Sequence, residues 1–165
     1  MSIVIIVFSL VFLFCTYCAY RLYTSNEDIK RKSLPFKESM DLISLPIVTF
    51  VNNNVKLHFL LDTGSDDSYI NSDIVQSLKV DKKIKAERAI ITGNGEIKSE
   101  GRVVMDIVYK NMAYTNMFII SDMGPAFDLI AQDRGIKVHG ILGNNFFNVY
   151  NYIIDFKDMI AYSKK

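Results

Sequence analysis

Turn-forming residues cut everything after Leu45-Pro46 into short apolar runs, a pattern that leaves little room for long helices and points to strands joined in hairpins. Ile47-Val48-Thr49-Phe50-Val51 and Val55 to Leu61 flank Asn52-Asn53-Asn54, so a hairpin is expected there. Ser68-Tyr69-Ile70 reads as a brief strand, followed by a short helix through Leu78 that Asn71 or Ser72 can cap. Ala89 to Thr92 and Lys98 to Tyr109 flank Gly93-Asn94-Gly95, and Asn-Gly is the strongest short hairpin signal because both residues accept positive φ. A strand from Ala113 to Ile120 comes next, then a helix from Pro125 to Arg134 ending on Gly135. Tyr152 to Phe156 and Met159 to Tyr162 form one last hairpin. Strands at this spacing, with two or three short helices, predict a mainly β domain built as a small closed or partly closed barrel.

The N-terminal stretch follows other rules. Ile3 to Tyr20 carries no charge, and as a helix its 18 residues would extend about 27 Å, close to the thickness of a bilayer core. A cleaved signal would place basic residues before a shorter apolar run and small residues before a cut. Here nothing basic precedes the run, and Tyr17-Cys18-Ala19-Tyr20 makes a poor cleavage site. The expectation is a retained single-pass membrane anchor: residues 1–20 as transmembrane segment, 21–44 as charged tether, 45–165 as folded domain. Arg21, Lys30, Arg31, Lys32 and Lys37 all follow the run, which modestly favours the cytoplasmic side for the soluble domain. Cys15 and Cys18, the two cysteines, both lie in the anchor and read as apolar filler, so no disulfide framework holds the domain. A net charge of +1 argues against nucleic acid as partner, because phosphate binding needs a basic stripe.

Chemistry concentrates in Phe59-Leu60-Leu61-Asp62-Thr63-Gly64-Ser65. An acidic residue directly after an apolar strand is costly if buried and serves no core, but it makes sense where a strand delivers a carboxylate to a cleft floor. Gly64 permits a tight turn and close approach by another backbone. Thr63 offers a hydroxyl that can reach a neighbouring loop, and Ser65 one that can bond the carboxylate. His58 and His139 have no clustered ligands, so no metal is expected. Asp66 and Asp67 read as solvent-facing.

Hydrophobic-hydrophobic-Asp-Thr-Gly-Ser resembles the active-site loop of aspartic proteases. Gly140-Ile141-Leu142-Gly143, followed by Asn144-Asn145-Phe146-Phe147, is similar to the apolar-apolar-Gly segment that retropepsin-like domains place beside that loop before a short helix. Thr92-Gly93-Asn94-Gly95 falls between the two, where that family has its flap, although it reads equally well as a plain turn. Ile153-Ile154-Asp155-Phe156 is similar to the last strands of the bacterial branch. Two positions depart from the pattern: Asn145, where relatives often carry Asp, and His139, where an acidic residue is frequent. Neither belongs to the family's reacting pair.

The resemblance implies a retropepsin-like closed β-barrel, expected here behind the N-terminal transmembrane helix read from residues 3–20. It also implies an aspartic endopeptidase with Asp62 as catalytic carboxylate and Thr63, Gly64 and Ser65 in support, needing no metal or organic cofactor. No other aspartate is followed by Thr-Gly, so a working site would require a homodimer acting on a peptide or protein substrate. The alternative is a catalytically inactive module of the same fold that binds peptide or self-associates at the membrane.

Overall fold

The computed structural model describes the backbone of residues 2–84, 89–92 and 95–163, and side chains of residues 8–24, 32–84 and 99–163. Strands β2 (Ile47–Asn52) and β3 (Val55–Leu61) form the first hairpin, with Asn53 and Asn54 at φ 48° and 64° making the turn. Two adjacent asparagines suit this site because their short polar side chains tolerate the left-handed region. Asn52 belongs to the strand and is buried. Its amide donates to the carbonyls of Lys79 and Asp106, each at 2.8 Å, and its oxygen accepts the Lys79 N–H at 2.7 Å.

Strands β4 (Ser68–Asn71), β7 (Gly95–Tyr109), β8 (Met112–Ser121) and β9 (Gly140–Leu142) complete the wall in the order β2-β3-β9-β4-β8-β7. Val51 opposite Val108 joins β7 back to β2, closing six strands into a barrel. Closure removes free edges from the wall. Two further strands lie outside this ring. β5 (Lys82–Ile84) pairs with β7, and β6 (Ala89–Thr92) forms a ribbon with the first residues of β7. A bulge between Ser99 and Gly101, the latter at φ 139°, marks where β7 passes from the ribbon to the barrel.

Inside the barrel Phe50 meets Phe59, Tyr109, Tyr114 and Phe146 edge-on, with ring centroids 5.8–6.3 Å apart. Phe146 comes from α4 (Asn144–Tyr150), so the helix after the glycine-rich segment inserts a fully buried ring into the core. That burial is worth about 2–3 kcal/mol and fixes where the helix starts. A smaller cluster of Ile43, Ile47, Phe127 and Val138 packs α2 (Lys37–Ile43) and α3 (Gly124–Arg134) against the outside. Gly135 ends α3 at φ 72°, as its composition predicts, whereas residues 72–77 form a 3-10 helix rather than an α-helical turn.

Packed structure begins before residue 45, where the domain boundary is expected. β1 (Leu34–Pro35) pairs with β11 (Ile160–Ser163), which pairs in turn with β10 (Tyr152–Asp155). Leu34 and Phe36 are fully buried and belong to the main core, inside the stretch 21–44 expected as tether. Tyr152 secures this entry: its hydroxyl donates to the Lys32 carbonyl at 3.0 Å and receives that of Tyr114 at 2.7 Å. Helix α1 (Ser2–Arg31) runs past the end of the apolar stretch. Among the described residues no helix is long and apolar enough to cross a membrane. The side chains of residues 1–7, where the apolar run begins, lie outside that description.

Candidate active site

β3 and β9 run parallel, with Leu61 opposite Leu142, and the ladder continues one step further as the Asp62 N–H donates to the Leu142 carbonyl at 3.0 Å. There the chain turns. The Gly64 N–H donates to Asp62 Oδ1 at 2.8 Å, and the Ser65 N–H reaches back to the Asp62 carbonyl at 3.4 Å. Asp62 is half-buried while Thr63 and Gly64 are exposed, so a strand anchored in the core presents one carboxylate at the surface. A backbone dipole orients it, and Oδ2 has no partner among the described residues.

The turn is braced from behind. Main-chain N–H groups of Asn144 and Asn145 donate to the carbonyls of Ser65 and Asp66 at 2.8 and 3.0 Å. Ser68, fully buried, accepts the Gly143 N–H at 3.0 Å and donates to Asn145 Oδ1 at 2.6 Å, while Asn145 Nδ2 donates to the Met117 carbonyl at 3.0 Å. These contacts explain the glycines. A Cβ on Gly143 would stand 2.3 Å from the Asp67 carbonyl oxygen, and one on Gly140 2.3 Å from that of Tyr69. No side chain fits either place. The sequence leads one to expect close backbone approach at Gly64, but among the described residues a Cβ there meets Asp62 Oδ1 alone, at 3.2 Å; the tight crossings are at Gly140 and Gly143. Ile141 sits between them opposite both Leu60 and Tyr69, as the central strand of this crossing.

Residues 48–146 match the aspartyl protease family. The chain belongs to that family. It is 32% identical over 137 residues to the retrovirus-related Pol polyprotein from transposon 412 of Drosophila melanogaster, covering 81% of this chain but 10% of that polyprotein. A retropepsin-like aspartic protease from Rickettsia conorii shares the fold at TM-score 0.50 and 19% identity, over 78% of this chain and 95% of that one. The EIAV protease complexed with the inhibitor HBY-793 aligns at TM-score 0.49 and 19% identity, over 65% of this chain and 88% of the other.

Against this aspartyl protease fold the expected site residues divide. Asp62, Thr63, Gly64 and Ser65 meet Gly140, Ile141, Leu142 and Gly143 in one crossing. The Ser65 hydroxyl does not bond the carboxylate: it donates to the Asp67 carbonyl at 2.8 Å, a local bond that closes within two residues. The Thr63 hydroxyl has no hydrogen-bond partner among the described residues. Of the flap candidates, Thr92 pairs with Gly95 at the end of the β6–β7 ribbon, and Gly93 and Asn94 lie outside the described residues. Asp66 is exposed and Asp67 half-buried; with burial, which acts most strongly, their charges raise the Tyr69 phenol above its ordinary value, opposed by Arg102.

The contacts of three residues have no signature in the sequence. Buried Ser68 and half-buried Asn145 form the latch behind the turn, and Asn144 donates its side-chain amide to the Thr63 carbonyl at 3.0 Å. His58 and His139, far apart in sequence, bring their rings to 5.3 Å. His139 Nδ1 accepts the His58 N–H at 3.1 Å, so the proton of its neutral ring sits on Nε2, where a metal would need a lone pair. Among the described residues no group of three His, Cys, Asp or Glu could hold a metal ion.

Proposed function

We propose that the chain is an aspartic endopeptidase whose reacting centre forms between two copies, each contributing Asp62. The observation that carries this reading is the half-buried Asp62 carboxylate on a turn braced at its back by Gly140 to Asn145, held among the described residues through Oδ1 alone, by a backbone N–H. Such a carboxylate is rigidly aimed yet open to a reactant. Each chain has one Asp-Thr-Gly, and the chemistry needs two carboxylates. Two of them a few ångströms apart hold one proton between them near neutral pH. The ionised member takes a proton from a bound water as the water oxygen attacks the scissile carbonyl. The protonated member donates to the carbonyl oxygen, and a proton then passes to the departing amine. An extended peptide lying as an added strand supplies backbone hydrogen bonds for affinity and side chains for preference.

Membrane attachment is part of the proposal. Phe8, Leu10, Val11, Phe12, Leu13 and Phe14 of α1 are each more than half exposed, and at 100° per residue they surround the helix. A helix apolar on every side suits lipid better than water or a one-sided protein groove. The cluster of basic residues after it favours a cytoplasmic domain.

The test is to incubate the full chain, in detergent, with an unstructured protein, with and without a transition-state-mimicking aspartic protease inhibitor. Cleavage that the inhibitor stops, and that Asp62→Asn abolishes, is the expected result. Peptide binding without cleavage would identify a non-catalytic module instead. Release of full-length chain from membranes by a carbonate wash would contradict the anchor.

A further inference from the structure

The carbonyl of Thr63 and the N–H of Gly64 belong to one peptide group. Asn144 Nδ2 donates to that carbonyl at 3.0 Å, and the Gly64 N–H at its other end donates to Asp62 Oδ1 at 2.8 Å. The carbonyl only accepts, so the amide must present its nitrogen. A relay therefore runs from the Asn144 amide through one peptide group to the carboxylate. The main-chain N–H of Asn144 also holds the Ser65 carbonyl at 2.8 Å, so this residue grips the turn on both sides of Gly64.

That peptide group needs holding. Glycine accepts either sign of φ, so a peptide preceding glycine in a tight turn can flip with little steric penalty. Flipping would withdraw the N–H from Asp62 and aim a carbonyl oxygen at the carboxylate. Asn144 opposes the flip, and a hydrogen bond accepted by a carbonyl polarises the N–H on the same peptide into a better donor.

We propose that Asn144 is a positioning residue for Asp62, fixing the Thr63–Gly64 peptide so that its N–H stays on the carboxylate. The proposal rests on the reading of Asp62 as the reacting carboxylate. Asn144 acts through the peptide and touches no reacting atom. A purely structural role would predict a different outcome for one substitution. Residue 144 opens α4, and an acidic side chain is well tolerated in the first turn of a helix. Asn144→Asp should therefore leave the fold as stable as before while removing the donor and placing oxygen against oxygen at Thr63.

The experiment compares the full chain with Asn144→Asp and Asn144→Ala, in detergent, by steady-state kinetics across pH and by NMR of the Gly64 amide. The expected result is a fall in kcat of about tenfold, the equivalent of one lost charge-linked hydrogen bond, with KM nearly unchanged. The acidic limb of the pH profile should move to higher pH. The Gly64 amide proton, whose shift follows the carboxylate it bonds, should lose most of its acid titration in both variants. An unchanged Gly64 titration, or a raised KM with kcat preserved, would overturn the proposal. If no form of the chain hydrolyses peptide, the endopeptidase reading fails while the Gly64 titration still decides the relay: lost in the variants it stands, retained it falls.

Discussion

The N–H of His58 donates to Nδ1 of His139 at 3.1 Å, and the N–H of His139 donates back to the His58 carbonyl at 2.9 Å. This reciprocal pair continues the β3–β9 ladder one step below Phe59 and Gly140, on the strand whose far end carries Leu142 under Asp62. His58 also meets the Thr49 hydroxyl at 2.8 Å through its own Nδ1.

Acid should therefore loosen the strand beneath the active-site turn. A proton on His139 Nδ1 would turn an acceptor into a donor facing another donor. Burial is the main force lowering both imidazoles below their ordinary 6.5, aided by Lys56 at His58 and by His58 and Lys137 at His139, with Asp73 opposing. Glu38 and Arg134 line the groove beside His58. Because both folded-state values lie below 6.5, the unfolded chain takes up protons first as the pH falls. This stability is complete above 6.5 and declines as the pH drops through the lowered values. Urea midpoints measured from pH 7.5 downward should fall in that window, and less steeply in His139→Asn, whose amide oxygen can replace the acceptor without titrating. Equal slopes in both proteins would remove the pair from the acid response.

Four glycines should respond differently to the same added methyl group. Gly140→Ala and Gly143→Ala put a Cβ 2.3 Å from a backbone oxygen and should each cost about 3 kcal/mol or more, leaving little folded protein. Gly135→Ala meets no atom within 4 Å among the described residues, and its φ of 72° should cost about 1 kcal/mol. Gly64→Ala presses on Asp62 Oδ1 at 3.2 Å, so it should fold and yet lose activity. Thermal unfolding and a peptidase assay on the set check this ranking.

The readable features were those that local chemistry forces. Asn53-Asn54 make a turn because few residues sit at positive φ, and the glycines of Gly140-Ile141-Leu142-Gly143 stand where the backbones of Tyr69 and Asp67 leave no room for a Cβ. The closed barrel follows from strand spacing for the same reason. Partnerships across long stretches of chain left no local trace: Ser68 with Asn145, 77 residues apart, and His58 with His139, 81 apart. Leu34-Pro35-Phe36 looks like tether in the sequence because a two-residue strand between charged neighbours has no period. Its burial comes entirely from β11 and the core around it.

The start of the domain can be tested through those residues. Phe36 is 1% exposed, and Phe36→Ala should cost about 3–5 kcal/mol. A chain beginning at Ser33 should melt cooperatively by circular dichroism, and one beginning at Leu45 should not. A cooperative melt from the shorter chain would restore the boundary at residue 45.

The central claim is that two chains share one site, each supplying Asp62. Its most direct test keeps the active chain at constant concentration, adds Asp62→Asn chain in increasing amounts, allows subunits to exchange, and measures the rate of peptide hydrolysis. If dimers form at random and a mixed dimer is inert, the rate should fall to about half with an equal amount of variant and to about a tenth with ninefold excess. A rate unaffected by any excess of Asp62→Asn would mean that one chain suffices, and would contradict the shared-site account.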